Sequence, residues 1–298
     1  MYPYLLKHPQ LFPAVIGVTK DQFDHIVGRV HPVLFRFWKT RQILPGRIRA
    51  SGGGRKRLFD TDAKLVFFIL FYYKVYPTFR LAQVIFQLDK TNIFRWVEFM
   101  KPVLLDALGT ELSLPTQKTS HMGQLLTVCP KLQEFIVDAT ERRIQRPKDT
   151  DAQEFYYSGK KKYHTVKNQV ITDPRTTHIL AVSVTVEGKR HDKKLAEDDT
   201  ALLHAPPGSI GMGDSGYQGA EGINPLCRFV YPKKKPRKRE LTLEEKDTNR
   251  IISQIRVRVE HPFAYMKHFN ILSHTFRNSI NKADLPFKTI ACIYNVTR

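Results

Sequence analysis

Four acidic side chains, Asp138, Asp192, Asp214 and Glu260, are the residues whose types and settings could do chemistry together. Asp138 follows the apolar run Phe135, Ile136, Val137, which reads as a short buried strand ending on that carboxylate. Asp214 follows a second short strand over 209–212. Asp192 follows a strand and opens a helix to about 203, and Glu260 lies on a late helix over 242–269. An aspartate at a strand end can project into a crevice, although aspartate also starts ordinary turns. Carboxylates gathered at one place repel unless positive charge sits among them. Hard divalent cations, Mg²⁺ or Mn²⁺, bind oxygen ligands of this kind. Two such ions, roughly 4 Å apart, suit activation of water and stabilisation of a leaving oxygen in phosphodiester cleavage.

The elements that must position these acids form a mixed β-sheet with helices packed on it, preceded by helices alone. On the late helix Asn249, Ser253, Arg256, Glu260, Phe263 and Lys267 share one face, and Ile252, Ile255, Val259 and Met266 share another suited to the sheet. The polar face reads equally as an ordinary ion-pair face. Pro262 removes a backbone bond two residues after Glu260 and is expected to bend the helix there, aiming Glu260. Two β-rich runs, 162–172 and 177–186, flank a turn at Asp173-Pro174.

Before the sheet, two helical segments are expected near 5–16 and 22–38, with Asp21 as N-cap of the second. Helices over 61–75, 78–88 and 89–108 then follow with tight turns, a helix-turn-helix order. Lys90, Thr91, Asn92 and Arg95 open the third helix, with side chains that reach base edges and phosphates from a recognition helix. An ordinary helical bundle with a polar face remains the alternative. Arg55, Lys56 and Arg57 follow three glycines and read as a basic loop, either touching a DNA backbone or solvated. The glycines lack the Gly-Lys-Ser/Thr ending of a P-loop. Lys160, Lys161 and Lys162, with His164 and Lys167, form a basic run entering a strand and suit phosphate contact. The basic run over 233–239 is read as holding DNA, with a localisation signal as the alternative. Tyr217 is open between packing under Asp214 and stacking on a base.

Across 298 residues the formal net charge is +20. It divides as +10 for residues 1–128 and +10 for 129–298, the two regions expected to be a helical DNA-binding part and a catalytic part. A positive field over both suits a polyanion. No apolar run approaches the roughly 18 residues of a membrane span, and the opening residues lack the sections of a secretory signal. Cys129, Cys227 and Cys292 are few and widely spaced, as buried thiols of a reducing compartment are. A soluble intracellular protein is expected.

The segments FIVDATE, YYSGKKKYHTVKNQVITDP, HDKKL, GDSGYQG and RVRVEHPFAYMKHFNIL occur in this order over residues 134–272. Together they resemble the DDE-type transposases of the Harbinger-like and related bacterial insertion-sequence families, and the helices near 55–108 resemble the helix-turn-helix segment before that nuclease domain. The resemblance implies an RNase H-like α/β fold and catalysis with Mg²⁺ or Mn²⁺, two ions in all. It implies Asp138, Asp214 and Glu260 as the acidic triad, with Asp192 as a fourth metal-binding acid. Arg256 and Lys267 match the R-x3-E-x6-K signature of such enzymes, whereas Ser253 stands where many relatives have Tyr. The implied partners are double-stranded DNA, as element ends and target, and further copies of the chain in a homodimer or larger synaptic complex. The implied location is the nucleoid of a bacterium, or the nucleus of a eukaryotic host.

Overall fold

A computed structural model describes residues 1–42, 58–109, 133–236 and 239–298. The chain folds as two compact units, each described by itself. The first is Met1–Thr110 with His268–Ile271 and Leu285–Arg298, and the second is Glu111–Lys267 with Leu272–Asp284. The end of the chain thus belongs to the helical unit, although the sequence groups it with the strands.

The first unit contains α1 (Tyr2–Lys7), α2 (Phe12–Ile16), α3 (Lys20–Gln42), α4 (Asp62–Val75), α5 (Phe79–Phe86) and α6 (Lys90–Leu108). Every side chain of α4 from Leu65 to Tyr73 is buried, so this helix is surrounded by its neighbours. Thr61 caps its start by accepting from the Lys64 amide, and Tyr76 ends it in the left-handed region. Thr78 and Asp89 cap α5 and α6 in the same way. At α3 the cap is Thr19 and not Asp21. Thr19 Oγ1 accepts from the Gln22 amide, and Gln22 Oε1 accepts from the Thr19 amide at 2.8 Å. That reciprocal pair satisfies two helix-end donors, which a lone Asp21 in the first turn cannot do.

The second unit is built on β1 (Glu134–Arg143), followed by α7 (Thr150–Tyr156), β2 (Tyr157–Ser158), β3 (Tyr163–Thr172), β4 (Ile179–Val182), β5 (Val186–Glu187), α8 (Asp192–Asp198), β6 (Ile210–Met212) and β7 (Arg228–Val230). The sheet order is β2-β3-β1-β6-β7, with β4 and β5 also pairing with β3. β1 is antiparallel to β3 and parallel to β6, and β6 is parallel to β7. Phe135, Val137 and Ile171 form one core with Ala196 of α8 and with Tyr217. Gly211 of β6 lets this core close, because a Cβ there would stand 2.7 Å from both the Phe135 and Phe229 rings.

The late helix is three pieces: α9 (Leu243–Arg256), a 3₁₀ turn over Val257–Val259, and α10 (Glu260–Lys267). The expected bend at Pro262 falls instead just before Glu260. Proline cannot donate to the carbonyl four residues back, that of Arg258, and its ring crowds it, so the tightening appears upstream. Ile252, Val259 and Met266 are buried, as the apolar face requires. After α11 (Asn270–Ser273) the chain ends on α12 (Asp284–Val296), where ten consecutive residues from Pro286 to Asn295 are buried.

Candidate active site

β1 does not stop at Asp138. It continues for five residues, because β3 pairs with it throughout, Asp138 opposite Val170 and Arg143 opposite Thr165. What stops is the neighbour on the other side. The pairing of β1 with β6 ends at Ile136 opposite Met212, and β6 leaves the sheet there. Asp138 and Asp214 each lie two residues beyond that last pair, so equivalent positions of parallel strands carry both carboxylates to the opening left by β6. A crevice beside the carboxyl end of a parallel strand is the usual place for a ligand in an open α/β sheet.

Asp214 caps the 3₁₀ turn Ser215–Tyr217, its Oδ1 accepting from the Gly216 amide at 2.7 Å. Asp192, first residue of α8, comes to the same turn. A Cβ on Gly216 would stand 2.8 Å from Asp214 Oδ1 and 2.9 Å from Asp192 Oδ2. Those two oxygens are therefore separated by no more than the sum of these distances, and only glycine leaves room for both. Asp138 Oδ1 accepts from the Ala139 amide at 2.8 Å. Burial pushes its carboxyl up to about 6, with smaller contributions from Asp214 and Asp192, against the lowering effects of the Ala139 amide and Arg256. Three aspartates thus feel one another.

Two cations answer them in part. Arg256, at the end of α9, places a terminal nitrogen 3.9 Å from Asp138 Oδ2. Lys167, buried on β3, donates to Asp192 Oδ1 at 2.9 Å and to the Arg190 carbonyl at 2.6 Å. Tyr217 is fully buried in the core, with burial and the three aspartates raising its hydroxyl's pKa. Packing, not base stacking, is its role in this structure. Its hydroxyl and the Arg256 Nε are buried without a hydrogen-bond partner.

Glu260 opens α10 as an exposed residue and makes no hydrogen bond or ion pair with the three aspartates. Among the described residues no group of three His, Cys, Asp or Glu side chains is close enough to hold a metal ion. The donor set nevertheless fits a hard divalent cation. It offers carboxylate oxygens only, and the cation beside Asp138 Oδ2, Arg256, stands 3.9 Å away.

Of the expected DNA-contacting residues, Lys90, Thr91, Asn92 and Arg95 lie exposed on the first turns of α6. Lys160, Lys161 and Lys162 form the exposed tip of the β2–β3 hairpin. Arg55, Lys56 and Arg57 lie outside the described residues. Lys267 is at the end of α10, 5.9 Å from the Phe263 ring centroid. Burial and nearby Lys161 lower its pKa, while Asp138 acts the other way. The sequence reading missed the task of Lys167, grouping it with the hairpin lysines. The available signal was its place in the middle of an unbroken strand pattern, Tyr163–Thr172, where a lysine is buried only with a partner.

The chain is 29% identical over 288 residues, 95% of its own length and 93% of the relative's, to the probable transposase for insertion sequence element IS702 of Microchaete diplosiphon. No solved structure matches it significantly. Among the described residues no helix is long and apolar enough to cross a membrane. Residues 137–295, from the strand bearing Asp138 to the last helix, match the DDE superfamily endonuclease family, and the chain belongs to that family.

Proposed function

We propose that this protein is a DNA transposase that hydrolyses one strand at the terminal inverted repeats of its element and joins the freed 3′-hydroxyl to target DNA. The observation that carries the reading is the side-by-side placement of Asp138 and Asp214 on parallel strands, with Asp192 against the same turn. A relative named for an insertion sequence supports it, and places the weight on the insertion-sequence side of the resemblance more than the Harbinger-like side. Three antiparallel strands followed by two parallel ones beyond β1 support an RNase H-like sheet. Three capped helices with short turns support a helix-turn-helix whose third helix offers Lys90, Thr91, Asn92 and Arg95 to DNA. The helical region to about residue 128 is read as DNA-binding and the remainder as the nuclease.

In this reading Asp138, Asp214 and Glu260 are the catalytic acids, and with Asp192 they hold Mg²⁺ or Mn²⁺. Two such ions, when bound, supply Lewis acidity for the attacking water and the leaving oxygen. The remaining work belongs to the chain. Arg256 restrains Asp138, Lys167 restrains Asp192, and Gly216 leaves the space in which Asp192 and Asp214 approach one turn. Burial of Tyr217 beneath them keeps that arrangement rigid. Arg55, Lys56, Arg57, the hairpin lysines and Lys267 add phosphate contacts. Two element ends must be held together, so a homodimer or larger assembly acts on double-stranded DNA, in the nucleoid or in a nucleus.

The test is incubation of the purified protein with a supercoiled plasmid carrying the element's ends, with Mg²⁺, Mn²⁺ or EDTA, beside Asp138→Ala. Metal-dependent cuts at the ends, absent in the variant, are expected. Binding to the ends without cuts in every metal would replace the reading with that of a non-catalytic DNA-binding protein.

A further inference from the structure

A cavity of about 600 Å³ lies in the second unit, where the far end of β1, the tip of the β2–β3 hairpin and residues 272–275 meet. We propose that it seats a sugar-phosphate segment of bound DNA, with Arg143, Lys161 and His274 as the phosphate-binding side chains. The proposal rests on the nuclease reading and adds to it a second, non-catalytic subsite.

Charge is the first argument. Arg143, Lys161, Lys267 and His274 line the cavity, are exposed, and form no ion pair among the described residues. The one acid in the lining, Glu141, already accepts a hydrogen bond from Thr165 Oγ1 at 2.7 Å. The cations Arg143, Lys161 and Lys267 around one concavity repel each other until an anion arrives. Burial of its inner part holds the Lys267 ammonium below its ordinary value, and Lys161 adds to that lowering through the same repulsion.

Rigidity is the second. The hairpin tip is pinned by buried Ser158, whose carbonyl accepts from the Lys162 amide at 2.7 Å and whose Oγ accepts from the Lys161 amide at 3.2 Å. Lys162 takes φ +60°, a left-handed conformation that a lysine adopts only when its surroundings impose it. On the opposite wall the Phe276 amide donates to the Arg143 carbonyl at 2.8 Å, and Ile144 bridges to Phe276. Arg143 lies over the Tyr163 ring, 5.0 Å from its centroid, which limits its freedom before any ligand binds. The walls are pre-formed, as a ligand site's usually are.

Position selects the ligand. β1 runs from Asp138 to the cavity wall at Glu141–Arg143, three residues on, so the cavity adjoins the carboxylates, and Lys267 in its lining feels both Lys161 and Asp138. A strand whose scissile phosphate lies at Asp138 has neighbouring phosphates to place. The volume suits a sugar-phosphate segment rather than a lone ion.

The experiment uses the full chain in EDTA, so that no cleavage intervenes. The probe is a duplex carrying the element's end with single phosphates near the cut replaced in turn by neutral methylphosphonate. Wild type is expected to bind several-fold more weakly at one or two adjacent substitutions. Lys161→Gln, Arg143→Gln and His274→Gln should each be insensitive to those same substitutions, and the two that remove a fixed charge, Lys161→Gln and Arg143→Gln, should make the salt slope of binding shallower by about one. Lys189→Gln, whose exposed amine is held outside the cavity by the Glu154 carbonyl, should keep the wild-type profile. Three variants, at the exposed tip and walls, guard against one failing to fold. Cavity variants that retain every sensitivity would overturn the proposal, as would equal loss in Lys189→Gln. Competition by inorganic phosphate beyond that of chloride at matched ionic strength, lost in Lys161→Gln, would assign the seat to free phosphate instead. Failure of the wild type to bind any duplex would fall on the nuclease reading.

Discussion

The two units bury polar and charged groups in different settings, and the difference locates the chemistry. In the helical unit the interior is mostly aromatic and aliphatic, with rings of Phe59, Phe68, Phe71 and Phe86 meeting at 4.8 to 6.1 Å. Its buried charges among the described residues are Lys101, paired with Glu98 one turn back on α6, and Lys288, and the DNA-type side chains on α6 lie at the surface. In the sheet unit polar groups are carried inside: Lys167, Asn168 and Gln169 lie buried in one strand, and Arg142 donates to the Ala283 carbonyl from a position 4% exposed. Burying such groups is unfavourable unless each is paired. A fold that carries this cost on the strands beside Asp138 is using it to hold charges in place. Stability and activity should therefore separate between the units.

The largest effect expected is on cleavage. Asp214→Asn should lower metal-dependent nicking by on the order of 10³-fold or more, since acids acting as a unit fail together, while DNA binding in EDTA persists. The matching change in the helical unit is Phe68→Ala, which removes a fully buried ring and should cost about 3–5 kcal/mol in urea unfolding. The folded fraction should cleave at its normal specific rate. Both tryptophans, Trp38 and Trp96, are in the first unit, so their fluorescence reports that unit's unfolding. Loss of cleavage by folded Phe68→Ala protein would break the separation.

Gly216→Ala sharpens it. The added methyl meets Asp214 Oδ1 and Asp192 Oδ2 at 2.8 and 2.9 Å, closer than real contacts allow, so the carboxylates must shift. A displacement of this kind costs roughly 10²-fold in rate. Tryptophan-detected stability should not change, and a fall in both together would show that the turn is structural only.

The same contrast explains what could be read from the sequence. Helix boundaries in the first unit were legible because Thr61, Thr78 and Asp89 are local caps before apolar runs, and capping is local chemistry. The pairing of Asp138 with Asp214 was legible only as two strands each followed by an acid. The continuation of β1 through Glu141, Arg142 and Arg143 was not, because those residues look like surface. They form strand because β3 lies alongside, and the buried Arg142 is received by the Ala283 carbonyl, 141 residues away, and by the Phe276 ring, whose centroid is 4.6 Å from its guanidinium. β7 was missed for a similar reason: three residues just before a basic run carry too little pattern, and their partner β6 is itself three residues long. Lys167 looked like its neighbours Lys160 to Lys162 until a distant helix supplied Asp192.

A stability measurement tests the electrostatics of the site directly. The Asp138 carboxyl sits at about 6 in the folded protein against an ordinary 3.8. A raised acid binds its proton more tightly folded than unfolded, so stability falls as pH rises from about 4 to about 6 and the penalty persists above. Asp138→Asn removes that charge. In metal-free buffer at pH 7.5 the variant should be more stable than wild type by about 1–3 kcal/mol, read from hydrogen exchange of β1 amides. The gain should vanish below pH 4. Added Mg²⁺ should raise the melting temperature of wild type but not of the variant.

The smallest effect has the opposite sign and belongs to the other unit. Burial, and beyond it Lys74, holds the His268 imidazole below its ordinary value of 6.5, and the Lys74 amine donates to the His268 carbonyl at 3.0 Å. A depressed base binds protons more readily unfolded. Its contribution is fully present above pH 6.5 and is lost as the pH falls through the folded value. His268 is exposed, so solvent screening keeps the change under about 0.5 kcal/mol. Tryptophan-detected urea midpoints of wild type should therefore drift down slightly between pH 7 and pH 5, and His268→Gln should remove that drift. Over the same interval the protection of β1 amides, relative to their base-catalysed intrinsic exchange, should rise because Asp138 is gaining its proton. If both units moved in the same direction, the raised Asp138 carboxyl in one and the lowered His268 imidazole in the other would not be what governs their response to pH.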